Sequence, residues 1–383
     1  MGVDFPVTIH MERPVIAAQS VAERAAPAVR ARIVGVGTAV PGTSYTQQEV
    51  LDAFAITDPR VRSVFLNSAI DRRHLVLPGR DAGGRRLPEA QGDLLDRHKS
   101  QAVEVGIRAL EACLKRTDAS LSDLRHLCCV TSTGFLTPGL SALIIKELGI
   151  DRHCSRSDIV GMGCNAGLNA LNVVAGWSVA NPGELAVVLC SEACSSAYAM
   201  DSTMRTAVVN SLFGDGSAAV ALVADDGTPP GPPAGKDGPR VLKFASCIIP
   251  DAVDAMRYDW DRDLGRFSFF LDPQIPYVVG AHAEIVVDRL LAGTGLYRSD
   301  ISQWLVHSGG KKVIDAVVVN LGLSRHDVRH TIGVLRDYGN VSSGSFLFSY
   351  ERLLDEGVTR PGDYGVLMTM GPGSTLETAL VQW

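Results

Sequence analysis

No apolar run in this chain approaches the ~20 residues that a membrane span needs. Its first residues also lack the charged-then-apolar pattern of a signal peptide. Basic residues are not in excess: 36 Lys and Arg stand against 42 Asp and Glu, a net charge of −6. That balance offers no footprint for nucleic acid. The eight cysteines, at 113, 128, 129, 154, 164, 190, 194 and 247, contain no Cys-x-x-Cys pair. Neither a zinc site nor a disulfide framework is indicated, and a reducing cytoplasm fits this usage. At 383 residues and 46% hydrophobic, the chain can bury one large core or two fused half-domains.

What is present centres on Cys164. Ile159 and Val160 end an apolar, strand-like run, Gly161-Met162-Gly163 follow, and Cys164 stands at the turn. Leu168, Leu171, Val174 and Trp177 then recur at helical spacing. The sulfur is therefore expected at a helix N-terminus, where exposed N–H groups and the helix dipole favour thiolate over thiol. A packed cysteine in a Gly-rich turn is the plainer alternative.

Two later segments supply polar groups suited to such a nucleophile. In Trp304-Leu305-Val306-His307-Ser308-Gly309-Gly310-Lys311-Lys312, a short apolar strand ends at His307 and a helix is expected through Leu321. Tyr338-Gly339-Asn340-Val341-Ser342-Ser343-Gly344-Ser345 is a polar loop ahead of the apolar run Phe346-Leu347-Phe348. Taken singly, a strand-end histidine is more often structural, and an asparagine in a Gly/Ser loop is usually a turn former.

Cysteine, then His-x-Gly-Gly, then Gly-Asn-x-Ser-Ser resembles, in order and local sequence, the type III polyketide synthases of the chalcone synthase-like family. Met370-Gly371-Pro372-Gly373-Ser374 resembles that family's Gly-Phe-Gly-Pro-Gly loop, with Thr369 and Met370 departing from it. The resemblance runs from about residue 31 to Trp383. In residues 63–73, 124–141 and 154–216 it is strongest to members that join four malonyl units and close them to a 3,5-dihydroxyphenylacetyl thioester for antibiotic biosynthesis. It implies an acyltransferase with Cys164 as nucleophile and His307 and Asn340 as donors to the enolate oxygen. A thiolate–imidazolium pair between Cys164 and His307 is expected. CoA thioesters are the substrates, malonyl-CoA among them, and no metal or redox cofactor is needed. The protein is expected to be a homodimer, and accessory hydratase or isomerase enzymes are candidate partners for the aromatising steps.

The resemblance also marks a cavity wall: the gatekeepers Phe213 and Phe269, with Thr131, Cys194, Ala197, Ser342, Gly371, Pro372 and Gly373. For CoA it marks Arg60, while Ser63 and Asn67 stand where two further basic residues would be. Arg62, Lys311 and Lys312, with Gly309 and Gly310 at a helix start, could replace the missing charge.

The implied fold is the α/β thiolase fold, two duplicated βαβ halves in five αβαβα layers. The residues agree. Continuous apolar runs at 127–130, 186–190 and 218–223 suit strands covered on both faces, and helical patterns such as 101–116 and 281–291 alternate with them. Residues 1–30 read as an extension, 31–226 as the half with the cysteine, 227–239 as a Pro/Gly-rich loop, and 240–383 as the half with His307 and Asn340. A synthase making a tetrahydroxynaphthalene or a pyrone, a fatty-acid-type ketoacyl synthase III, and a non-catalytic scaffold are the alternatives.

Overall fold

This computed structural model describes residues 29–84, 86–87, 89–197, 203–225 and 238–383. The expected N-terminal extension and Pro/Gly-rich loop lie almost wholly outside them. Thirteen strands occur among the described residues: β1 (Arg30–Ala39), β2 (Ser44–Thr46), β3 (Arg72–His74), β4 (Leu124–Val130), β5 (Ser155–Ile159), β6 (Leu185–Glu192), β7 (Gly216–Asp225), β8 (Arg240–Ile248), β9 (Met256–Asp261), β10 (Arg266–Leu271), β11 (Ile301–Val306), β12 (Tyr364–Gly371) and β13 (Thr375–Gln382). Nine join one mixed sheet in the order β11-β12-β13-β8-β1-β7-β6-β4-β5.

The duplication is visible in strand pairing. β4 pairs parallel with β6, β6 antiparallel with β7, and β7 antiparallel with β1. β11, β12, β13 and β8 repeat that series of parallel, antiparallel and antiparallel pairings. A single registered pair, Arg32 with Arg240, joins β1 to β8 and so links the halves.

Period-2 alternation sorts the strand residues into separate cores. Ala186, Val188 and Cys190 of β6 meet the helix Ala166–Ala180 and the helix Ser345–Glu356 in a central core. Val187 and Leu189 point the other way, toward the helix Gln91–Leu114 and the helix Leu140–Leu148. In the second half, Leu367 of β12 enters the central core, while Val366, Met368 and Met370 face Ile275–Leu291 and Lys311–Leu321. The result is helix, sheet, helix pair, sheet, helix: the five layers of the thiolase fold. Each fully buried Leu, Val or Phe contributes roughly 1.5–3 kcal/mol.

Two helices start earlier than their apolar periodicity predicts. Gln91–Leu114 begins ten residues before 101, since Asp93 accepts a hydrogen bond from Ala90 N at 3.0 Å and so caps a polar first turn. Ile275–Leu291 begins at 275 because Pro276 suits a first helical turn. No helix among the described residues is long and apolar enough to cross a membrane.

Candidate active site

Cys164 sits where the first half feeds the central helix pair. After β5, Gly161 and Gly163 adopt φ of +79° and +64°, and a 3-10 turn, Gly163–Asn165, leads into Ala166–Ala180. The second half covers this turn. A Cβ on Gly163 would lie 2.4 Å from Pro372 Cδ, and one on Gly371 would lie 2.8 Å from Asn165 N. Only glycine lets the Gly371-Pro372-Gly373 loop close over the cysteine turn at that distance.

Asn340 is held by backbone pairing with Phe213. Asn340 N donates to Leu212 O at 2.9 Å, and Gly214 N donates to Asn340 O at 3.0 Å. The orientation of its amide follows from its partners. Oδ1 accepts from Ser342 N at 2.8 Å and from Ser345 Oγ at 3.5 Å, so the NH₂ is the group left for the Cys164 thiol, with which the amide hydrogen-bonds. Ser342 itself has φ +52°, a left-handed conformation uncommon outside glycine, and its Oγ lies 3.6 Å from Cys164 Sγ.

His307 follows β11 directly, with its N–H donating to Met368 O at 2.8 Å and its carbonyl accepting from Gly309 N at 2.8 Å. The side chain is buried, and Nδ1 has no partner. Burial pulls the imidazole down to about 3 and pushes the Cys164 thiol up to about 12. Hydrogen bonds from Ser342 and Asn340 oppose the thiol shift, and the Glu192 charge adds to it. Burial therefore works against the expected thiolate–imidazolium pair from both sides. Desolvation opposes the helix N-terminus here because the turn is roofed by apolar and backbone atoms of the second half.

The sequence reading missed the carboxylate behind the cysteine. Glu192, fully buried at the end of β6, accepts from Ser132 N at 2.8 Å, Ser132 Oγ at 2.9 Å, Thr133 Oγ1 at 3.0 Å and Ser343 Oγ at 2.5 Å. Ser132 Oγ lies 3.1 Å from Ser342 Oγ, so hydroxyls run from the thiol to the carboxylate. An acidic residue closing the fully apolar run 185–190 was the available signal.

The cavity-wall candidates gather around this centre. Phe213 and Phe269 meet edge to face at 6.1 Å, both buried. Cys194 opens the one-turn helix Cys194–Ala197, buried, while Ala197 is half-buried. Thr131 is buried, with Oγ1 3.4 Å from His98 Nε2. Beyond Cys194 and Phe213 lies a cleft of about 140 Å³, lined in part by Arg73, Asn210 and Arg266. Among the CoA candidates, Arg60 is widely exposed, 3.5 Å from Asp58. Arg62 donates to Ile56 O and Gln48 Oε1, and Lys311 pairs with Asp315. Lys312 is exposed behind Gly310, whose φ is +121°. No cluster of three or more His, Cys, Asp or Glu that could hold a metal occurs among the described residues.

Comparison with known proteins gives this arrangement a lineage. Residues 89–226 match the N-terminal domain of chalcone and stilbene synthases, and residues 247–383 match the C-terminal domain. The chain is 77% identical to the 3,5-dihydroxyphenylacetyl-CoA synthase of Streptomyces toyocaensis and 74% identical to that of Amycolatopsis balhimycina, covering 100% of both partners in each case. The crystal structure of 1,3,6,8-tetrahydroxynaphthalene synthase from Streptomyces coelicolor, a bacterial type III polyketide synthase, superposes with a TM-score of 0.81 at 28% identity. That match covers 92% of this chain and 99% of the other. Domain matches over both halves, with a cysteine turn roofed by a Gly-Pro-Gly loop, place the chain in the chalcone and stilbene synthase family, the type III polyketide synthases.

Proposed function

We propose that the protein condenses four malonyl-CoA into 3,5-dihydroxyphenylacetyl-CoA. The observation that carries the reading is the meeting of Cys164 with Asn340 at the seam of the two halves, beside the His307 loop, whose Ser308 Oγ donates to Gly339 O at 3.4 Å, in a chain 77% identical over its full length to a synthase of that name. Cys164 attacks the thioester of a first malonyl-CoA, and CoA leaves as the acyl group moves to sulfur. The thiol proton passes to the departing CoA thiolate, which leaves as CoA-SH. A second malonyl-CoA then loses CO₂. The Asn340 NH₂ and an N–H of His307 donate to the enolate oxygen that forms, and a dry site favours the loss of charge from the carboxylate. The enolate carbon attacks the Cys164 thioester and the chain grows by two carbons.

Three such extensions release three CO₂. The starter keeps its own carboxylate, which makes the terminal carbon acidic enough to close on the ketone nearest the thioester. Loss of that fourth CO₂ and of water leaves eight carbons as a 3,5-dihydroxyphenyl ring bearing an acetyl thioester. No cofactor beyond the CoA thioesters enters the scheme. The protein acts as a homodimer: Phe135, Val160 and Val173 leave large apolar side chains exposed on the cysteine half.

Incubation with malonyl-CoA alone, Cys164→Ala in parallel, and mass analysis of products tests the reading. Dihydroxyphenylacetyl-CoA or its acid, absent from the variant, is the expected result. Pyrones only would overturn the ring closure, and no Cys164-dependent product would overturn the starter.

A further inference from the structure

A buried histidine outside the catalytic set completes the hydrogen-bond chain behind Cys164. His98, on the helix Gln91–Leu114, is fully buried, and its ring packs so tightly against Gly134 that a Cβ there would lie 2.2 Å from Cδ2. Nδ1 lies 3.2 Å from Thr133 Oγ1, and Nε2 lies 3.4 Å from Thr131 Oγ1.

With Glu192 ionised, as its four donors favour, proton counting fixes the direction of every link. Thr133 has one hydroxyl hydrogen, and it goes to Glu192 Oε2. Its oxygen already accepts from Ala193 N at 3.0 Å. The bond to His98 therefore requires His98 Nδ1–H as donor. Nε2 is then an acceptor, and Thr131 O–H donates to it. Beyond the carboxylate the order continues. Ser132 gives its hydrogen to Glu192, so Ser342 must donate to Ser132, and the Ser342 oxygen is left to accept from the Cys164 S–H.

We propose that His98 is a positioning residue that holds Thr133 as a donor to Glu192 and thereby fixes the polarity of the hydroxyl chain ending at the Cys164 sulfur. The inference rests on Cys164 being the nucleophile. A ring without Nδ1–H lets Thr133 rotate away, and Glu192 then loses one of its four donors. Its charge becomes harder to keep in a site faced by Cys164, Cys190 and Cys194. The Ser132–Ser342 link consequently loses its fixed direction.

The test uses the full chain with His98→Leu, which fills the space, and His98→Asn, whose amide nitrogen takes the place of Nδ1. Malonyl-CoA turnover, Cys164 alkylation by iodoacetamide against pH, and Tm are read for each. For His98→Leu, kcat should fall about tenfold with KM within about twofold. Its alkylation midpoint should move to lower pH by about half a unit, because a Glu192 more readily protonated repels the thiolate less. His98→Asn should recover kcat to within about threefold of the parent. Thr133→Val breaks the same link from its other end and should reproduce the Leu profile. Parent-like kcat and alkylation in His98→Leu or Thr133→Val overturn the role, as do equal losses in the Leu and Asn variants that track Tm alone. A parent enzyme without Cys164-dependent product overturns both this role and the function it serves.

Discussion

Asn340 allows donation to the reaction to be separated from support of the fold. Its Oδ1 caps the left-handed Ser342 by accepting Ser342 N at 2.8 Å, while its NH₂ faces the thiol. Asn340→Asp keeps the shape and the accepting oxygen but replaces the donor with a second acceptor. Losing one oxyanion donor costs about 10²–10³ in rate, or about 2.7–4 kcal/mol at 1.36 kcal/mol per decade. Below about pH 4, where the introduced carboxyl is protonated in the folded and unfolded chain alike, stability should change by less than about 1 kcal/mol, because the backbone cap survives. Asn340→Leu removes both functions. It leaves Ser342 N–H buried without a partner, adding about 1–3 kcal/mol of destabilisation to the same catalytic loss. Release of labelled CO₂ from carboxyl-labelled malonyl-CoA, in parallel with thermal unfolding, reads the two effects apart. Burial raises the pKa of the introduced carboxyl, so lowering the pH restores an O–H donor, and decarboxylation by Asn340→Asp should partly recover toward pH 5. An Asn340→Asp enzyme that decarboxylates within tenfold of the parent would refute the donor role, as would equal Tm losses in both variants.

Other expectations follow from the same geometry. Gly371→Ala forces a Cβ to within 2.7 Å of Asn165 Oδ1 and 2.8 Å of its N, so the cysteine turn must shift; product formation should drop at least about tenfold, measured by malonyl-CoA consumption. Cys113 and Cys164 are both pushed up to about 12 by burial. Their folded thiols keep protons that the unfolded chain releases near 9, so their stabilisation is complete below pH 9 and fades up to pH 12. At pH 10 the loss should be about 1 kcal/mol per group, seen as a falling midpoint in urea titrations. His98 and His307 run the opposite way, held neutral down to about 4 and about 3. Their stabilisation is present above about 6.5 and is lost as pH falls toward those values; a midpoint unchanged between pH 7 and pH 4 would contradict it.

The parts of the fold that repeat locally were readable. β4, β6 and β7 announced themselves as continuous apolar runs, and His307 and Asn340 stand at element ends, as their neighbours implied. Less legible was whatever depends on distant segments meeting. Glu192 draws its donors from residues 132, 133 and 343, and no spacing rule connects those positions. His98 lies in a stretch that reads as a charged helix face, yet the loop at Gly134 covers it completely. The burial of Cys164 was hidden for the same reason. Its own turn argued for a thiolate, but the roof of Pro372 and Gly371 comes from two hundred residues downstream and dries the sulfur.

The single ladder pair between Arg32 and Arg240 carries little of the union between the halves. Their real seam is the contact of the two central helices, where a Cβ on Gly167 would lie 2.2 Å from Ser343 O. A chain emerging from the ribosome can shape its first half and still lack a complete site, because His307, Asn340 and Ser342 all lie beyond residue 226. The donors proposed for the reacting oxygens are thus absent until folding is finished. The two repeats, once free to drift as copies, can now change at this seam only in step with each other.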